Sequence, residues 1–205
     1  MGIKLIVAPT LEPVSLAEVK LQCAIDADIT AHDALISGAI IPAARAAAEN
    51  YMGAILMQRT VDLTLDEFPC DGDIETEQPP AWNRHCVQPL PLLITSISYV
   101  DPDGVTQVLA GAAYTIDDSN WPSWTLRAVD TEWPATRVQA NAVQIRMVKG
   151  YDAIAKIPAD VRAWLLLTAG FLFAHREAFD MSGKMAALPS RFIDALLDPY
   201  RVFKV

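Results

Sequence analysis

The chain has 205 residues, 52% of them hydrophobic, and 25 acidic against 16 basic side chains give a formal net charge of −9. That length buries one sizeable core or two small ones, and three widely spaced cysteines, Cys23, Cys70 and Cys86, argue against a disulfide framework. The Lys and Arg residues are scattered singly, so no basic footprint for gripping phosphate is present and the surface is expected to repel DNA rather than hold it.

The opening "MGIKLIVAPTLEP" is too short and too poor in basic residues for a secretory signal. Met1-Gly2 matches the start of a myristoylation signal, yet Ile6 stands where Ser or Thr is needed. A soluble chain made in the cytoplasm is the expectation. "PVSLAEVK" then carries a capping box, with Ser15 as N-cap, Glu18 three residues on, and Val14 and Val19 spaced as a hydrophobic staple. A helix over Leu16 to Cys23 follows from it. After an acidic turn at Asp26 and Asp28, a second helix starts at Thr30 or Asp33. Leu35, Ile36, Ala39, Ile40, Ala43, Ala47 and Tyr51 share one helical face there. Pro42 falls inside this pattern and should kink the helix or begin a new one. Gly53 stands where a C-terminal cap belongs.

The period then changes to two. "TVDLTLDEF" alternates Val61, Leu63 and Leu65 against Asp62, Thr64 and Asp66, as a half-buried strand does. "LLITSISYV", "DPDG" and "VTQVL" read as a hairpin. "AAYTI", "SWTLRAV" and "NAVQIRMV" are further strands, and "CDGDIETEQPPAWNRHCVQPLP" and "DTEWPATRVQAN" are polar loops rich in turn residues. Helical character returns after Pro158, which suits a first turn, with Asp160 near the positive end of the dipole. A last helix places Ile193, Leu196 and Leu197 on one face before Pro199 stops it. The expected fold class is α+β: a helical body formed by residues 1–58 and 151–205, with an antiparallel β-rich insertion over 59–150.

Several constellations look chemical as text and weaken on inspection. His175, Arg176 and Glu177 are consecutive, and helical neighbours point about 100° apart, so they do not face one another as a triad must. Cys70, His85 and Cys86 lack the spacing of a metal site. "GYDAIAKIPAD" has a single Gly and is no phosphate loop. Trp82, Trp121, Trp124 and Trp133 cluster in the β segment, either as a stacking platform or as plugs for a small sheet. Hence no catalytic, cofactor-binding or metal-binding residue is assigned, and no enzyme is expected.

What stands out is excess apolar surface. Between Arg162 and His175 the chain runs twelve residues without a charge, short of the ~20 needed to span a membrane. A helix apolar all round must be surrounded, which makes Trp164, Leu166, Phe171 and Phe173 candidates for subunit packing. The chain ends "LLDPYRVFKV", where Pro199, Tyr200, Arg201, Val202 and Phe203 form an apolar tail suited to a partner.

In order and spacing these segments resemble the phage head–tail connector (adaptor, head-completion) proteins. The family pattern "P-[VL]-[ST]-L-x-E-[AV]-K" is met by Pro13, Ser15, Leu16, Glu18 and Lys20. Its "D…I…A…AR…E…G" helix is met by Asp33, Ile40, Ala44, Arg45, Glu49 and Gly53. Trp133-Pro134, Arg137, Asn141-Ala142-Val143, Gly150-Tyr151, Arg176-Glu177 and Pro199-Tyr200-Arg201 extend the match over nearly the whole chain, as in a longer branch with a β insertion. The resemblance implies a structural neck protein in a virion, or in a prophage or gene-transfer-agent particle. It would form a homo-oligomeric ring, commonly twelve-fold, on the portal protein. That ring extends the DNA channel without specific DNA binding and offers a surface to the next neck or tail protein. C-terminal segments of the family are expected to reach the portal, and neither a cofactor nor a membrane is implied. Two other readings stay open: a ligand- or protein-binding module using the Trp-rich β segment, and a small hydrolase among the acidic loops.

Overall fold

Alternation of apolar and polar residues in four of its strands builds the larger of two sheets in the computed structural model, which describes residues 2–68, 93–117, 125–129, 132–175 and 194–201. The strands are β1 (Gly2–Val7), β2 (Arg59–Leu65), β3 (Leu93–Val100), β4 (Thr106–Leu109) and β7 (Val143–Lys149), antiparallel throughout in the order β1-β2-β7-β3-β4. A separate antiparallel pair joins β5 (Tyr114–Asp117) to β6 (Thr125–Ala128). The described residues also form helices α1 (Leu16–Gln22), α2 (Asp33–Leu35), α3 (Ile41–Met52) and α4 (Ala159–Ala174), with a π-helical turn over Ile36–Ile40 and short 3-10 turns. The chain divides into two compact units: a β unit from residues 2–9 and 58–150, and a helical unit from 10–57 and 151–201. Helix and antiparallel sheet together make the fold α+β.

In the β unit, register turns alternation into layers. Ile3, Leu63, Ile145, Ile97 and Leu109 lie in one lateral row, and Leu5, Val61, Met147 and Ile94 in the next. Side chains in register on neighbouring strands share a face, so these rows form the apolar face of the sheet. Leu63, Ile145 and Ile97 are at most 1% exposed. The opposite face carries the row Lys4, Asp62, Arg146 and Ser96. The β3–β4 hairpin closes through Asp101–Gly104, where Gly104 adopts φ 87°, and Asp101 accepts from the Val105 amide at 2.8 Å. Arg137 lies against Gly104 so closely that a Cβ there would collide with its guanidinium.

β1 corrects the sequence reading, which placed residues 1–58 in a helical part and gave no element before Leu16. "GIKLIV" pairs with β2 instead. Every residue of β1 is exposed, so the strand lacks the one-sided burial that makes period two legible.

In the helical unit, the capping box forms as read: the Ser15 hydroxyl accepts from the Glu18 amide, and the Glu18 carboxylate accepts from the Ser15 amide at 2.8 Å. Val14 and Val19 are buried beneath it. Pro42 stands in the first turn of α3 directly after the π-turn, whose Ile41 amide reaches back five residues to the Ile36 carbonyl. A proline ring clashes with the carbonyl four residues before it and offers no N–H. The wide turn supplies the room, so the helix continues through Pro42 without a break. Gly53 ends α3 in the left-handed region (φ 68°), and the amides of Gly53 and Ala54 both reach the Glu49 carbonyl. The predicted final helix around Ile193 falls mostly outside the described residues; Leu197 is fully buried.

Candidate interface surfaces

Helix α4 begins after Pro158 and packs against α1, α3 and the π-turn. Its buried residues, Val161, Trp164, Leu165, Thr168 and Ala169, form one stripe at helical spacing. The opposite face is not covered by the chain itself: Ala163 and Ala174 are exposed and Leu167 is 39% exposed there. Of the four packing candidates, Trp164 is core, with its Nε1 donating to Asp194 at 3.4 Å. Leu166, Phe171 and Phe173 are half-buried. The Phe171 ring lies 4.5 Å from the His175 ring and Phe173 meets His32 edge-on at 5.3 Å, so both aromatics are engaged within the unit. Leu167 is the apolar residue left open on this helix, and the sequence reading did not single it out.

His175 caps α4 through its backbone, donating to the Phe171 carbonyl at 2.9 Å. Arg176 and Glu177 lie outside the described residues, as do Cys70, His85, Cys86, Trp82, Trp121 and Trp124. Trp133 is stacked flat on Phe68, with centroids 4.8 Å apart and planes 3° from parallel. Its indole face therefore serves the β unit's own packing. Among the described residues no three His, Cys, Asp or Glu side chains come together as a metal site, and no helix is long and apolar enough to cross a membrane.

The C-terminal candidates are only partly open. Asp198–Tyr200 forms a 3-10 turn on the helical unit. The Tyr51 hydroxyl of α3 donates to Asp198 at 2.7 Å, and Arg201 lies over the Tyr51 ring at 5.0 Å. The hydrogen bond to Asp198 holds the Tyr51 phenol above its ordinary pKa. Burial, then the Asp160 carboxylate, does the same for Tyr200. Pro199 is exposed, Tyr200 half-buried and Arg201 exposed; Val202 and Phe203 lie outside the described residues. The turn over Asp198–Tyr200 is thus latched to α3.

Two polar clusters went unnoticed in the sequence. On the sheet, Asp62 is 1% exposed and accepts from Arg146 Nε and Nη2, both at 2.8 Å, and from the Gln144 amide. The Arg146 guanidinium leads the effects that hold the Asp62 carboxyl below its ordinary pKa. In the helical unit, Lys20 is 6% exposed, pairs with Asp33 at 2.9 Å and donates to the Ala27 carbonyl. Glu18 also pairs with Arg162 of α4, and the Ser15 amide, foremost, lowers its pKa. Period-two and period-3.6 patterns assign such residues to faces, but the partner comes from another strand or helix.

No family model and no curated protein matches the chain. Solved structures do. A chain in the neck of an empty gene transfer agent (GTA) particle, computed with C6 symmetry, matches at 20% identity and TM-score 0.72. A chain in the virion of a native GTA particle gives 0.70, and one in the neck of a native GTA particle computed with C12 symmetry gives 0.62, both also at 20% identity. Each match covers 100% of this chain and 97% of the other. The fold of this chain is therefore, from end to end, one found in the structures of gene transfer agent necks.

Proposed function

We propose that the chain is a structural subunit of the neck of a phage-like particle, located in the virion between capsid and tail. Copies assemble as a ring on the portal protein, twelve in the particle, extend the DNA channel and present a surface to the next neck or tail protein. The observation that carries this reading is fold likeness over the full length of both chains, with neck structures that have cyclic symmetry. The connector motifs of the sequence and the open apolar residues of α4 and β1 support it independently. No reaction is part of this function. The net charge of −9 suits a channel through which DNA must slide, since attractive Lys and Arg contacts would retard it.

Within this reading, α4 and the helices before Gly53 act as one body, and the β unit combines the leading strand β1 with the strands that lie between α3 and α4 in the chain. Trp164, Leu166, Phe171 and Phe173 stiffen that body from within, with Leu167 facing outward. The latch of Tyr51, Asp198 and Arg201 sets where the tail leaves, and Pro199 to Phe203 meet the portal. Electron microscopy of the purified chain, alone and mixed with the portal protein of the same genome, tests this. Rings in at least one condition are expected; a monomer in both would refute the reading.

A further inference from the structure

The five-stranded sheet ends in two unlike edges. At one end lies β1, which among the described residues pairs only with β2. Its Ile3, Leu5, Ile6 and Val7 are 39–51% exposed. At the other end lies β4, which among the described residues pairs only with β3, with Val108 72% exposed and Val105 beside it 55% exposed. The apolar row that is buried at Leu63, Ile145 and Ile97 runs out to Ile3 at one edge and Leu109 at the other. An open, apolar edge strand is a template for another chain unless charge, proline or a cover blocks it. Neither β1 nor β4 contains a proline, and β1 has one charge.

We propose that these two edges join neighbouring copies of this chain head to tail, β4 of one subunit against β1 of the next. This rests on the ring reading above and names the surfaces that build the ring. Three observations select a second copy as the occupant. A cyclic ring needs two different, mutually complementary patches on every subunit, and the sheet offers one at each end. Their charges are opposite: Lys4 is the single charged residue of Gly2–Pro9, whereas Asp101 and Asp103 are the charged residues of Leu93–Leu109. Finally, strands alternate in direction across the sheet, so β1 and β4, first and fifth, run the same way. A small cyclic rotation preserves that sense and sets them parallel, an allowed pairing. A β1–β1 contact would instead give a closed two-fold pair and leave β4 open.

Lysine substitutions on the two edges test this in the full-length chain. Leu5→Lys and Val108→Lys change exposed side chains, so each variant should fold, as checked by circular dichroism and thermal midpoint. Leu21→Lys, at an 81% exposed site on α1, is the control. Sedimentation is run with and without the portal protein, whichever gives rings for the unmodified chain. Each edge variant alone should lose the ring, and the control should keep it. An equimolar mixture of Leu5→Lys and Val108→Lys has one intact β4 and one intact β1, and should yield a one-to-one dimer and nothing larger. A ring that survives either edge substitution overturns the proposal while leaving the neck reading intact. Self-dimerisation of Val108→Lys through β1 overturns it too. No ring from the unmodified chain in either condition sinks the neck reading itself.

Discussion

Asp62 offers a sharp test of how the sheet is held, because three of its interactions can be removed at one atom pair. In the folded chain its carboxylate is buried on the polar face of β2 and receives two bonds from Arg146 and one from Gln144. Asp62→Ala deletes all three. The cost depends on what is stranded. The Arg146 side chain is 42% exposed, so it turns to water instead of remaining a buried unpaired ion, which would cost about 3–5 kcal/mol. What is lost is a set of charge-assisted hydrogen bonds in a half-open site, about 1–3 kcal/mol. Urea unfolding of the unmodified chain, Asp62→Ala, Arg146→Met and the double variant measures this. In the Arg146→Met background the cost of Asp62→Ala should fall by roughly half, since the partners couple. A cost for Asp62→Ala that is unchanged by Arg146→Met would refute the assignment of the stability to this pair.

Further outcomes follow from the same structure. Asp62 and Glu18 both lie below their ordinary values of 3.8 and 4.5. A depressed carboxylate contributes stability above its unfolded pKa and loses it as pH falls toward the folded one, so the unfolding midpoint should drop below about pH 4 and drop less in Asp62→Asn. Leu165→Ala should cost about 2–5 kcal/mol by chemical denaturation, whereas Leu167→Ala on the open face should stay within about 0.5 kcal/mol; equal costs would mean α4 is enclosed on both faces. Gly53→Ala places a Cβ at φ 68° and should cost about 1–2 kcal/mol, read from the same denaturation curves. Deleting residues 202–205 should leave the thermal midpoint unchanged and abolish portal binding in a pull-down, while deletion from Leu197 onward also removes a fully buried side chain and the Tyr51 latch and should destabilise the chain.

Much of this fold was legible where one-sided burial writes itself into the sequence. The Ser15–Glu18 capping box, the αL cap at Gly53, the Asp101–Gly104 hairpin and the alternation of Val143, Ile145 and Met147 each specify local geometry without help from elsewhere. β1 was not legible, because its residues are all exposed and its strand state comes from pairing with β2. The π-turn before Pro42 was foreshadowed only as a break, since accommodation by a wider turn and interruption of the helix look alike in a sequence. The interface candidates divided in the same way. Trp164 faces the core, and the outward face of α4 is marked by Leu167, which differs from its buried neighbours in position alone. The latch on Asp198 was not legible, because its partner, Tyr51, lies 147 residues away in the chain.

Electron cryomicroscopy of the portal vertex of particles assembled with a tagged copy of this chain addresses the neck assignment without intermediaries. Density for a closed ring of twelve tagged subunits seated between portal and tail is the expected result. Filled, tailed particles that form normally with the chain absent from the vertex would contradict it.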